Sequence, residues 1–125
     1  MLSSWHSVVE SRDPALLAEL LADDVVFRSP ALFKPQEGKA LTTAYLTAAI
    51  TVLGPTLRYV GEWADEHSAV LEFEADFDGT HVHGVDMLRW NDAGQLTSFT
   101  VMVRPLRGLQ RLIELMAAQL TAAPN

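Results

Sequence analysis

The hydrophobic period of this chain changes from helical to alternating at Gly54-Pro55, and no other feature limits its fold as much. Before that point apolar residues recur at helical spacing. After it, over residues 57–104, they alternate with polar ones, as in half-buried strands. Leu2, Trp5, Val8 and Val9 predict a first short helix. Asp13-Pro14 supplies an N-cap followed by a residue that needs no N–H donor. It opens a second helix, with Leu16, Leu17, Leu20 and Leu21 as the buried stripe, which stops near Asp23-Asp24. Residues 25–29 read as a short strand and 30–38 as a loop. A third helix is expected over 39–53, with Leu41, Tyr45, Ala48, Ala49 and Val52 on one face.

The alternating half predicts four strands, at 57–63, 69–77, 80–90 and 95–104. Asp78-Gly79 marks a two-residue hairpin, since glycine accepts the positive φ such a turn requires. Leu106, Leu109, Leu112, Ile113, Met116 and Leu120 then mark a carboxy-terminal amphipathic helix. Helices first and an antiparallel meander afterwards imply one α+β domain over residues 1–125.

Composition removes several function classes. With 16 acidic against 9 basic residues and a formal charge of -7, the chain lacks the basic face of a nucleic-acid module. Without cysteine it has no disulfide, thiolate zinc site or cysteine nucleophile. The longest uncharged stretch, residues 40–57, carries five threonines and Gly54-Pro55, which suits no membrane span. The amino end meets Glu10, Arg12 and Asp13 before any long apolar run, unlike a signal peptide. A cytoplasmic protein is the expectation.

The hairpin register carries the chemistry. A two-residue turn pairs Phe77 with Thr80, Phe73 with Gly84 and Leu71 with Asp86. Alternation then places Leu71, Phe73, Ala75 and Phe77 on one face with Val82, Asp86, Leu88 and Trp90. A four-residue second turn would pair Asp86 with Phe99 and Gly84 with Val101, adding Phe99, Val101 and Val103 to that face. One acid, Asp86, sits among apolar residues. Burial there raises a carboxyl pKa, and a neutral acid can donate a hydrogen bond or serve as a general acid. The plainer reading is an aspartate satisfied by nearby hydroxyls, amides or Arg28. On the other face Glu72, Glu74 and Asp76 lie across from His83 and His81, as cross-strand charge pairs on a solvated or subunit-facing surface. His81-x-His83 is too small a pattern to predict a metal site, and no cofactor motif occurs.

The pattern resembles the NTF2-like superfamily, in its SnoaL-like and ketosteroid-isomerase-like branches. The resemblance rests on Ala22-Asp23-Asp24-Val25-Val26-Phe27, on Ser29-Pro30 before a helix opened by Gly38-Lys39, and on residues 85–96, VDMLRWNDAGQL. It implies a cone, in which a curved antiparallel sheet wraps the amino-terminal helices around an apolar pocket. It also implies homodimers that pair through the outer sheet face. In ketosteroid isomerases an aspartate base precedes a proline, and a tyrosine and a protonated aspartic acid hold the dienolate oxygen. Asp86 matches the protonated acid, while Ser29 and Trp5 fall at the base and tyrosine positions. Steroid isomerisation by that mechanism is therefore not expected.

The expected function is an isomerase-, cyclase- or hydrolase-type reaction on a small hydrophobic carbonyl compound, with Asp86 as acid or base. The expected binding residues are Trp5, Phe27, Ser29, Tyr45, Trp63, Leu71, Phe73, Phe99 and Val101. The alternative is a homodimer that binds a hydrophobic ligand without turning it over.

Overall fold

Three helices, a short strand pair and a meander follow one another along the chain in a computed structural model that describes residues 1–122. Helix α1 spans Leu2–Ser11 and α2 Pro14–Leu20. Strand β1, Leu21–Arg28, and the two-residue β2, Gln36–Glu37, precede α3, Lys39–Leu53. The meander is β3 (Arg58–Ala64), β4 (Ser68–Phe77), β5 (Thr80–Trp90) and β6 (Leu96–Arg104), and α4, Leu106–Ala122, closes the chain. All six strands form one sheet in the order β2-β1-β6-β5-β4-β3. It is mixed where an antiparallel sheet was expected, because β1 lies parallel to β6.

Local chemistry explains most boundaries. The Asp13 carboxylate accepts a hydrogen bond from the Ala15 N–H at 2.9 Å, capping α2. That helix is shorter than its leucine spacing suggests. Leu21 is extended, pairs with Leu96 and belongs to β1, while Leu16 is exposed. The β1–β6 register then shifts before Val26, leaving Asp23 and Asp24 in solvent. Helix α3 buries Thr42, Leu46, Ala48, Ile50 and Leu53; Ala48 faces inward as expected, while the rest of the stripe is rotated from the expected one and Leu41 is exposed. Threonines at spacings that suit a helix obscured that face in the sequence.

The β4–β5 hairpin has the expected register, from Phe77 opposite Thr80 to Leu71 opposite Asp86. Asp78 (φ 53°) and Gly79 (φ 73°) make its turn. The β5–β6 pairing lies two residues from expectation: Asp86 faces Val101 and Gly84 faces Val103. The turn takes a fifth residue, with the Asn91 N–H donating to the Gln95 carbonyl, and a bulge follows Arg89. A displacement of two preserves alternation, so the same side chains point inward.

The core has two adjoining parts. Trp5, Val8, Leu17, Phe27, Leu46, Leu71 and Phe99 fill the space between the sheet and α1–α3. Leu53, Phe73, Ala75, Val82 and Leu112 fill the end closed by α4. No helix among the described residues is long and apolar enough to cross a membrane.

Candidate active site

The inner face of β5 brings a carboxyl group into this core. Asp86 is 7% exposed, while its hairpin neighbours Leu71, Phe73 and Val82 are buried at 1% or less. The Tyr59 hydroxyl, from β3, donates to Asp86 Oδ2 at 2.6 Å. The Trp5 indole Nε1–H, from α1, donates to the Tyr59 oxygen at 3.0 Å. Each donor has one proton to give, so the chain has a direction: Trp5 to Tyr59 to Asp86. Among the described residues Asp86 has no other side-chain hydrogen-bond partner, and Oδ1 is left without one.

Electrostatics follow from burial. Loss of water pushes the Asp86 carboxyl up to about 7, against the Tyr59 hydrogen bond, which lowers it. Burial, and then the adjacent Asp86 charge, raise the Tyr59 phenol well above its ordinary value. Asp86 therefore exchanges a proton near neutrality while Tyr59 keeps its own. A carboxyl of that pKa can serve as base or acid without a large energetic penalty in either direction.

A cavity of about 40 Å³ opens beside the pair, walled by Trp5, Phe73, Phe99 and Val101 and by Leu46, Ile50 and Leu53 of α3. The structure thus gathers Asp86, Trp5, Phe73, Phe99 and Val101 of the expected residues around one space. Phe27 and Leu71 lie in the packed core beside it. Ser29 and Tyr45 line a separate groove under α4. Ser29 Oγ accepts from the Ala31 N–H at 2.9 Å in a local turn.

Trp63 does not join the cavity and is 61% exposed. Strict alternation from Tyr59 would turn it inward. A bulge between Tyr59 and Gly61 instead pairs Glu62 with Leu71 and Trp63 with Val70, and one extra residue moves every later side chain to the other face. Its ring lies beside Gly61, where a Cβ would come within 2.6 Å of it.

Sequence reasoning missed Tyr59. Its signal was there: an aromatic residue at an inward position of the first meander strand. Only the pairing of β3 with β4, Tyr59 opposite Phe73, shows that it reaches Asp86.

The outer face is a ladder of charges. His81 meets Asp76 at 2.8 Å and Glu74 at 3.4 Å, His83 meets Glu72 at 2.7 Å, and Arg58 reaches both Asp76 and Glu74. No cluster of three or more His, Cys, Asp or Glu side chains among the described residues is arranged to hold a metal ion.

Comparison with known proteins agrees with this architecture. The SnoaL-like domain family matches residues 2–99. A steroid delta-isomerase from Pseudomonas aeruginosa is 39% identical with a TM-score of 0.90, over 97% of this chain and 89% of that one. An uncharacterised protein with a cystatin-like fold from Silicibacter pomeroyi is 27% identical, with a TM-score of 0.89 over 97% and 85%. A putative ketosteroid isomerase from Kribbella flavida shares the fold at 20% identity, with a TM-score of 0.68 over 83% and 75%. No curated protein matches the chain.

Proposed function

The chain belongs to the SnoaL-like domain family, and from that premise we propose that it is an isomerase-type enzyme moving a proton within a small hydrophobic carbonyl compound. The observation that carries the reading is a buried carboxyl, pushed up to about 7 and hydrogen-bonded by a tyrosine, beside an apolar cavity. Ionised Asp86 takes a proton from the carbon next to the carbonyl. The C–H electron pair moves into an enolate, with the negative charge on its oxygen. A protonated carboxyl is a poorer acceptor, so the Tyr59 hydroxyl is released to donate to that oxygen, backed by Trp5. Asp86 then returns the same proton two carbons further along, and the double bond moves into conjugation. One hydroxyl serves whichever group carries the charge.

The test is conversion of 4-penten-2-one to its conjugated isomer, followed by ultraviolet absorbance. Asp86→Asn keeps the shape and removes the base, so a loss of about 10²- to 10⁴-fold in kcat/KM is expected. The native rate should rise with pH through about 7 as Asp86 ionises. An Asp86→Asn enzyme of native rate overturns the reading.

A second reading has its own observation: among the described residues the cavity is lined by no ionisable side chain besides Asp86 and Tyr59. On that reading the chain is a homodimer that stores a hydrophobic ligand, joined through the outer sheet face where Val60, Trp63 and Met102 are exposed. Recovery of one unchanged ligand from the purified protein, with a dimer mass lost in Trp63→Glu, would favour it.

A further inference from the structure

The sheet is left open along part of one strand. Strand β1 lies beside β6 only as far as the pair Arg28 and Thr100. Its chain then turns away at Ser29-Pro30, and proline has no N–H to give to a ladder. Strand β6 runs on for residues Val101 to Arg104, with β5 on one side and no described strand on the other. Main-chain N–H and C=O groups alternate sides along a strand, so part of this stretch turns its polar groups outward. The open length is about 13 Å at roughly 3.3 Å per residue.

A groove of about 410 Å³ lies along that edge. The loop after β1 supplies Pro30, Leu32 and Phe33 to its walls, β6 supplies Val101 and Val103, and α4 supplies Leu109. Phe33 is fully exposed, and Leu32 and Met102 are at least half-exposed. An open strand edge beside apolar side chains is the arrangement that accepts an added strand: main-chain bonds hold it and alternate side chains enter the groove.

Charge states what kind of strand fits. Arg28 lines the groove, Lys34 stands between its wall residues Phe33 and Pro35, Arg104 follows Val103, and Arg107 lies two positions before Leu109. These are four of the 9 basic residues in a chain of net charge -7. Among the described residues the Lys and Arg side chains that meet a carboxylate are Lys39, Arg58 and Arg111. Arg28 donates instead to Ser98 Oγ at 3.1 Å, and Arg104 lies 3.5 Å from a His83 ring nitrogen. No acidic side chain among the described residues lines the groove. A second copy joined edge to edge would set these cations against themselves, whereas an acidic strand would neutralise them.

We propose that an extended, acidic segment of a partner protein adds to β6 at Val101–Arg104, with its apolar side chains in the groove beneath Phe33. The proposal does not depend on the reaction at Asp86.

The test is fluorescence anisotropy with a fluorescein-labelled peptide of sequence EVDVEV, which alternates acidic and apolar residues. It should bind saturably, and a KVKVKV peptide should bind about tenfold or more weakly. An added strand uses every second N–H of the peptide, so N-methylation of one alternate set of residues should cost about tenfold and of the other set less than about threefold. Phe33→Ser and the double variant Lys34→Glu, Arg107→Glu change exposed positions and should keep the native thermal unfolding. Each should weaken the peptide by about fivefold or more. No binding of EVDVEV, equal binding of KVKVKV, or indifference to both N-methylated sets overturns the proposal. So does native affinity in both protein variants, which would put the peptide elsewhere, or a dimer of this chain that Phe33→Ser dissociates, which would make a second copy the occupant.

Discussion

The two faces of the β4–β5 hairpin treat the same side chain in opposite ways. On the inner face Asp86 has lost its water and has one hydroxyl partner, so burial pushes its carboxyl up to about 7. On the outer face Asp76 is hydrogen-bonded by His81 and Arg58, and those partners hold it below its ordinary value. Both aspartates sit on well-paired strands of one hairpin. What differs is the face that each position presents, and with it the solvent and the number of positive neighbours. One face concentrates packing energy around a buried acid; the other spreads charge over pairs that water screens.

Packing gives the largest expected contrast. Phe73 is 1% exposed and lies against Gly84 and the edge of Tyr59, so Phe73→Ala should cost about 3–5 kcal/mol in urea unfolding. The adjacent Glu74→Ala, on the ladder side, should cost less than about 1 kcal/mol. Equal losses would break the comparison.

Next comes Asp86 itself. A folded pKa of about 7 against roughly 3.9 unfolded means that the folded state holds a proton the unfolded state has released. Stability from this group is full below pH 4 and falls between pH 4 and 7. It then stays low, a swing on the order of 4 kcal/mol. Asp86→Asn should flatten that limb and make the variant the more stable protein at pH 8. Parallel native and variant curves from pH 5 to 8 would show that Asp86 titrates as an ordinary surface acid.

How much of this was legible follows from where the information lies. The position of Asp86 could be read because the Asp78-Gly79 turn fixes a register locally, and alternation carries that parity along both strands. The displaced β5–β6 register did no harm for the same reason, since a shift of two keeps each side chain on its face. Trp63 was misplaced by the bulge after Tyr59, which has no strong sequence signature. Tyr59 was missed because its meeting with Asp86 joins β3 to β5 across an intervening strand. The Leu21 boundary turned on a parallel pairing with β6, a contact 75 positions away that leucine spacing cannot report.

The Tyr59 bond allows a finer cut. Its hydrogen bond lowers the Asp86 carboxyl against the effect of burial, so Tyr59→Phe should raise that carboxyl further above 7. The pH–rate profile should move in the alkaline direction with it. The charged form would also lose its donor, at a cost of about 1–3 kcal/mol at pH 8. A carboxyl titration by nuclear magnetic resonance that stays at the native position would show that Tyr59 does not hold the acid.

The smallest effect belongs to the ladder, and salt separates it from the core. The Asp76 hydrogen bond comes first among the causes that raise the His81 imidazole above its ordinary value, with Glu74 adding to it. That contribution favours the fold below about pH 6.5 and fades as pH rises through the raised value. Because the pair is exposed, a change from 0.01 to 1 M salt shortens the screening length from about 30 to 3 Å and should bring the imidazole back toward its ordinary range. Asp76→Asn should do so at low salt. Asp86, whose shift comes from lost water and not from neighbouring charge, should titrate at the same pH throughout. A histidine indifferent to salt, or an Asp86 that follows it, would mean that the two faces do not differ in the way their burial implies.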